Sequence, residues 1–260
     1  MGKRFRFIPQ GSPIAQLIIG EGIGTFFLAL IVVCAVVHAG PFAPIAIGFG
    51  LASLVFSYGY VSKAQYNPAV SLALCTAGAQ SIRDTVAAVV TQLVTGVAGA
   101  LIGAALLPKK AMFPALAPLG ATATWDDHGD VGRAFLAEFV FTFNLAHTVL
   151  NVAASRQGGN HFFGLAIGMA VLTGAFSVGA VSGAALNPAV ALGLQLTHAI
   201  IDAPVPASGV RPIQFIWLYW LAEVLGGVVA GLVFHFIEND GHGDDTCNDA
   251  DPATVYSSMA

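Results

Sequence analysis

The chain has 260 residues, of which 56% are hydrophobic and only 9% are charged, with a formal net charge of −4 and a mean hydropathy of +0.78. Ordinary soluble domains contain about 25% charged residues, so this composition excludes a soluble globular protein and predicts an all-α integral membrane protein. The negative charge gives no reason to expect a nucleic-acid partner, and the three cysteines lack metal-ligand spacing. We therefore expect the lipid bilayer to be the main partner, with no cofactor and no metal.

Six segments are long and apolar enough to cross a membrane, which takes about 20 residues per helix. In chain order they are predicted at residues 14–38, 44–61, 84–107, 131–154, 162–181 and 214–237. Two further apolar segments, 68–79 and 188–199, are too short to cross. Backbone that is not helical survives at membrane depth only when protein or a water-filled cavity surrounds it. We therefore predict two re-entrant half-helices that enter from opposite faces.

The tripeptide Asn-Pro-Ala opens each short segment, and its surroundings repeat with it. The two boxes are Asn67-Pro68-Ala69 and Asn187-Pro188-Ala189. Residues 62–74 and 182–194 are identical at eight of 13 aligned positions. Each repeat, about 14–107 and 131–237, holds three crossings, so the second must be inverted relative to the first. Inverted repeats with broken helices are typical of membrane transport proteins.

The residue types of the boxes predict how each half-helix begins. Asn is a favoured helix N-cap and Pro is favoured at the first helical position. The Asn carbonyl oxygen can accept a first-turn N–H, which leaves its NH₂ donors free for water. Two positive helix ends that face one lumen repel protons and other cations. The boxes therefore predict a passive pore for water and other small neutral molecules.

The two ends of the chain are predicted to lie in the cytosol. Six Lys and Arg residues fall on the side of the N-terminus and four on the other side, which favours this orientation. Residues 1–13 then form a cytosolic N-terminus. Residues 238–260 form an acidic cytosolic tail without Lys or Arg, expected to be disordered. Whether the membrane is the plasma membrane or a vacuolar or other organellar one stays open.

Taken together, these motifs resemble those of the aquaporins, the major intrinsic protein family. The resemblance covers about residues 14–237 and includes both boxes, the Glu-x-x-x-Thr helix starts at Glu21 and Glu138, and the Tyr-Trp pair at 219–220. It implies six tilted helices, two re-entrant half-helices and a homotetramer with one pore per subunit. The Tyr-Trp pair and Ala191 are similar to the water-selective branch, since glycerol facilitators usually have Pro and Asp at those places.

The resemblance also places a selectivity filter outside the boxes. Counted from the boxes, its four positions are Ile47, Ala175, Ala184 and Val190. The common water filter has an aromatic residue, a His, a small residue and an Arg, whereas this chain has no aromatic, His or Arg there. Some plant vacuolar aquaporins likewise have Val at the Arg place. We predict a wider, apolar constriction that passes ammonia and hydrogen peroxide, urea weakly and glycerol poorly.

A second departure from the family pattern precedes the first box. Aquaporins usually have Ser-Gly-Gly-His there, and this chain has Ser-Lys-Ala-Gln, which places Lys63 and Gln65 near the inner mouth. We favour a solvated Lys63 whose ammonium group snorkels to water. The alternative is a gate or a vestibule that attracts anions.

Glu21 and Glu138 lie within apolar spans, where carboxylates are costly and usually face the protein interior. They could couple proton movement to transport. Their symmetric placement favours a structural role instead, in which each carboxylate holds backbone N–H groups of its re-entrant loop.

Two other functions remain compatible with the repeat. A secondary transporter also uses inverted repeats, but it would need a charged substrate or ion site near the helix breaks, and neither the boxes nor the predicted filter provides one. A non-conducting structural membrane protein on the same fold is the other alternative. No set of a nucleophile and a base is visible, so we predict that the protein is not an enzyme.

Overall fold

The computed structural model describes residues 13–118, 128–156, 159–205, 209 and 211–240. All regular secondary structure in these ranges is helical. The α-helices are α1 (Pro13–His38), α2 (Ala43–Ser62), α3 (Pro68–Thr76), α4 (Ile82–Leu106), α5 (His128–Val149), α6 (Phe163–Ser182), α7 (Pro188–Ile200) and α8 (Ile216–Asp240). Short 3-10 turns lie at Gly40–Phe42, Lys110–Met112 and Pro212–Phe215, and a π-helical turn, Leu150–Ala154, extends α5.

Six helices of the described chain are long and apolar enough to cross a membrane, and α3 and α7 are the two short ones. This confirms the predicted all-α fold of six crossings and two half-helices. Because the number of crossings is even, α1 begins and α8 ends at the same face, which we call the inner face. The opposite face is called the outer face.

The end of α8 differs from the prediction. The helix continues to Asp240, so Glu238 belongs to it and not to a disordered tail. The Glu238 Oε2 atom lies 4.0 Å from Nε of Arg156, at the inner end of the α5 segment. This ion pair links the end of α8 to the end of the α5 segment. The remaining predicted terminal segments, 1–12 and 241–260, lie outside the described residues.

The helices pack as two similar halves. Helix α1 packs on α4, its counterpart α5 packs on α8, and α2 and α6 join the halves. Glycines permit this close approach, which is typical of membrane helices. A Cβ added to Gly168 of α6 would lie 2.3 Å from the Gly48 carbonyl oxygen of α2.

The half-helices are held by glycines of the opposite half. A Cβ added to Gly227 in α8 would lie 2.3 Å from the carbonyl oxygen of Ala69, the last residue of the first box. One added to Gly96 in α4 would lie 2.8 Å from the carbonyl oxygen of Ala189, in the second box. The spanning helices therefore press directly on the backbone of the boxes, which fixes where the half-helices begin.

Candidate pore

Each box starts its half-helix with the same cap. Asn67 and Asn187 have extended backbones, with φ of −151° and −161°, and a proline follows each at the first helical position. The Oδ1 atom of Asn67 accepts the N–H of Ala69 at 2.9 Å, and that of Asn187 accepts the N–H of Ala189 at 2.9 Å. The side-chain oxygens are thus occupied within their own helices, and the amide nitrogens point away from them.

The amide nitrogens connect the two halves of the chain. Nδ2 of Asn67 donates to the carbonyl oxygen of Leu186 at 2.8 Å, and Nδ2 of Asn187 donates to that of Tyr66 at 2.9 Å. The expectation that both donors of each amide are free was therefore wrong. One hydrogen of each NH₂ group is committed to the residue that precedes the other box. The second hydrogen of each NH₂ group is available to a molecule in the cavity that both Asn residues line.

The backbone before each box is unusual in the same way. Lys63, Ala64 and Tyr66 have φ of 72°, 48° and 53°, and the residues 120 positions later have φ of 91° (glycine), 50° and 50°. Positive φ is uncommon for residues other than glycine. Such strained conformations persist only where the surroundings overdetermine them. Both turns are therefore held by specific contacts.

The first of these contacts is made by the buried carboxylate of Glu21. Its Oε1 accepts the Ser62 hydroxyl at 2.7 Å and the Gln65 N–H at 3.0 Å. Its Oε2 accepts the Tyr66 N–H at 2.7 Å and the side-chain amide of Gln92 at 2.8 Å. Four donors surround the carboxylate, which is the arrangement that the loop-supporting hypothesis requires.

Glu138 repeats this arrangement in the second half. Its Oε1 accepts the Ser182 hydroxyl at 2.6 Å and the Ala185 N–H at 3.0 Å, and its Oε2 accepts the Leu186 N–H at 2.8 Å. The Tyr219 hydroxyl donates to the Ser182 carbonyl oxygen and ties α8 to the same turn. Both carboxylates are fully buried, and the backbone N–H groups that they accept belong to the turns with positive φ.

A cavity of about 160 Å³ passes both boxes and brings the predicted site residues together. Asn67 and Asn187 contribute the polar groups at its middle. All four predicted filter positions line it: Ile47, Ala175, Ala184 and Val190. Its wall is mostly apolar, and the described lining contains no charged side chain. On the outer side of the boxes, the cavity wall therefore offers few hydrogen-bond partners to a solute.

Comparison with known proteins agrees with this geometry. Residues 10–234 match the family model for the major intrinsic protein. The chain belongs to the major intrinsic protein family. Members of this family are membrane channels rather than enzymes, so the protein is a multi-pass membrane channel for water or small solutes.

Major intrinsic proteins similar to this chain include members from Glycine max, Oryza sativa, Archaeoglobus fulgidus and Plasmodium falciparum. Nodulin-26 of Glycine max is 28% identical over 86% of this chain and 79% of its own length. Aquaporin NIP1-3 of Oryza sativa is 33% identical over 86% and 74%, and the probable aquaporin AqpM of Archaeoglobus fulgidus is 28% identical over 90% and 92%. The aquaglyceroporin of Plasmodium falciparum has a similar fold, with a TM-score of 0.70 and 19% identity over 85% of this chain and 96% of that one.

The sequence analysis did not predict one further residue of this major intrinsic protein that lines the cavity beside the four filter positions. The loop after α4 turns inward, and Leu116 is only 5% exposed and lines the cavity beside the predicted filter. Its carbonyl oxygen accepts the side-chain amide of Gln195 in α7 at 3.2 Å. Its Cδ1 lies 2.5 Å from where a Cβ on Gly183 would be. The only sequence signal for this placement is a short apolar stretch in a loop too brief to cross a membrane.

The inner mouth contains Gln65 rather than Lys63. Gln65 lines the cavity and exchanges hydrogen bonds with Gln80, which also donates to Thr85 Oγ1 at 3.1 Å. Lys63, although described, is not in the lining. Burial lowers the pKa of the Lys63 ammonium group below its usual value, and the Asp84 carboxylate acts in the opposite direction. The solvated Lys63 that the sequence favours stays a prediction, and a gate or an anion-attracting vestibule stays its alternative.

Proposed function

We propose that this protein is a passive channel for water that also passes ammonia and hydrogen peroxide and excludes protons and ions. The observation that carries the proposal is the meeting of two capped helix starts in one cavity, with one amide hydrogen of each Asn uncommitted. A water oxygen that accepts both hydrogens points its own hydrogens outward along the pore. The positive ends of α3 and α7 oppose a cation at the same place. Both effects interrupt a proton wire.

The apolar wall supports the solute order. Without an Arg at Val190, the filter lacks a permanent charge and five donors. Each hydrogen bond that a solute loses without replacement costs roughly 1–3 kcal/mol. Urea and glycerol, which carry several polar groups, are slowed most, and ammonia least. The missing aromatic and guanidinium bulk lowers the steric barrier for all of them.

Water conduction is tested in proteoliposomes by stopped-flow light scattering. The wild type should shrink faster than empty liposomes under an osmotic gradient and should retain an imposed pH gradient. Val190→Trp, which fills the cavity and leaves both boxes intact, is the matched control and should lose the water flux. Wild-type permeability equal to that of empty liposomes, with folding verified, would refute the proposal.

The filter is tested by Val190→Arg, with and without Ala175→His. The substitutions should retain water flux and suppress ammonia and urea, because they restore donors and bulk. Val190→Leu changes size without adding a donor and separates width from chemistry. An unchanged solute series in the double variant would mean that these positions are not the filter.

We also propose a homotetramer with cytosolic termini, and loop-supporting roles for Glu21 and Glu138. Lipid-facing side chains such as Phe49 and Phe176 are more than half exposed in the single chain, so apolar surface is available for both lipid and neighbouring subunits. A secondary transporter would need a charge in the cavity lining, and the described lining has none. A flux that rises linearly with solute concentration, without saturation, distinguishes the channel from such a carrier.

A further inference from the structure

The two halves differ at one buried position of the loop supports. Sequence pairing aligns Gln92-Leu-Val-Thr-Gly of α4 with Glu223-Val-Leu-Gly-Gly of α8. The structure supports this register independently, because the glycines four residues later, Gly96 and Gly227, both press on the backbone of a box. Glu223 therefore holds the place in the second half that Gln92 holds in the first.

In the first half this place is filled by a neutral donor. Nε2 of Gln92 donates to Oε2 of Glu21 at 2.8 Å, and the Gln92 amide also exchanges hydrogen bonds with the Ser71 hydroxyl at 3.0 and 3.2 Å. An amide nitrogen donates at every pH. The first re-entrant loop is therefore supported without any proton being bound.

In the second half the same place lacks a permanent donor. The Glu223 side chain is 0% exposed and neighbours that of Glu138 where α5 and α8 pack together. Yet no donor among the described residues reaches either Glu223 oxygen with hydrogen-bond geometry, although the N–H of Asn187 approaches. The counterpart of Ser71 is Ala191, which has no hydroxyl. Two ionised carboxylates are both acceptors only, so their contact needs a proton.

We propose that Glu138 and Glu223 share one proton, with Glu223 as a neutral carboxylic acid that donates to Oε2 of Glu138. Glu223 is then a positioning residue. It completes the support of the turn before the second box, and through Glu138 it holds Ala184 and Val190 at the filter. The inference rests on the proposed function only for its permeability readout.

Among the residues that the structure describes, no cation beside the pair would replace this proton. From α5, Glu138 itself faces Glu223, and from α8 the neutral Tyr219 hydroxyl is committed to the Ser182 carbonyl oxygen. The titratable groups of α3 and α7, Cys75 and His198, lie in the last turns of those helices, away from the boxes. Loss of the proton would leave two negative charges side by side in a fully buried site, which is strongly unfavourable.

Infrared spectroscopy tests the shared proton directly. At neutral pH the wild type in lipid should have a C=O absorption of a protonated carboxylic acid, and Glu223→Gln should remove it. Gln92→Glu is the matched control, because it builds the same pair in the first half and should add a second absorption. Absence of the band in the wild type, or a band that Glu223→Gln leaves unchanged, would overturn the proposal.

The pH profile of water permeability tests the positioning role. The wild type should lose permeability roughly twofold or more as the pH is raised until the shared proton is lost, because the support of the turn weakens with it. Glu223→Gln places a permanent donor there and should give a flat profile, whereas Glu223→Leu should be low at every pH. Identical profiles for the wild type and Glu223→Gln would refute this role. If no variant conducts water but the infrared result holds, the proposed channel fails and the shared proton stands.

Discussion

Replacing Glu21 measures how far the inner half of the pore depends on one buried carboxylate. Each of its two oxygens accepts one backbone N–H, from Gln65 at 3.0 Å and Tyr66 at 2.7 Å. The other two donors, on Ser62 and Gln92, belong to side chains that can reorient. The two backbone donors cannot, because their turn has positive φ and no room to move.

The structure sets the size of the effect. A buried donor left without a partner costs about 1–3 kcal/mol. Glu21→Leu strands both backbone donors and should cost about 2–6 kcal/mol by this measure. Glu21→Gln has only one carbonyl oxygen, so it strands one donor and should cost about 1–3 kcal/mol. The glutamine variant is thus less conservative than its similar size and shape suggest.

The measurement is thermal unfolding in detergent, followed by the fraction of monodisperse protein, together with water permeability per folded channel. The wild type should be the most stable, Glu21→Gln should be less stable, and Glu21→Leu should be the least stable. The Glu138 series is the matched control, because Ala185 and Leu186 also donate to different oxygens. A leucine variant as stable as the glutamine variant would refute the reasoning. Water flux in Glu21→Gln that follows a proton gradient would favour a proton relay instead.

A comparison of two glycine substitutions tests the packing of the first box by the same unfolding assay. Gly227→Ala should cost about 1–3 kcal/mol, because its Cβ would meet a backbone oxygen at 2.3 Å, whereas Gly179→Ala has open space around it and should be neutral or stabilising. Equal effects would contradict this. Lys63→Gly should stabilise by about 1 kcal/mol, since its φ is 72°. Gly183→Ala should destabilise and change the solute series, because it would displace Leu116; an unaltered series would show that Leu116 is not part of the wall.

The sequence was sufficient for the features that depend on local composition. Length and hydropathy predicted six crossings and two half-helices, and the observed bounds differ by a few residues. The Asn-Pro pairs predicted N-caps because that chemistry lies within three residues of the box. The family resemblance predicted that Ile47 and Val190 lie at one constriction, and both line the same cavity although they are far apart in the chain.

The remaining features depend on how distant segments dock. The hydrogen bond from Asn67 to Leu186 joins residues 119 positions apart and leaves no local pattern. Leu116 lies in a loop without hydrophobic periodicity, so only the packed structure places it at the cavity. The ion pair of Glu238 joins α8 to Arg156, in the turn after the α5 segment, and this contact has no local signal in the tail. Each of these misses is a tertiary contact that overrides or extends a local signal.

The exchange of hydrogen bonds between the boxes has a consequence for biosynthesis. The Tyr66 carbonyl oxygen accepts the side-chain amide of Asn187, and the side-chain amide of Asn67 donates to the carbonyl oxygen of Leu186. While the chain is being made, the first half enters the bilayer with these groups unmatched, in a medium that offers no substitute. Its central turn can reach its final form only after the last third of the chain has been inserted. A chain that ends before the second box therefore lacks the partners of this turn.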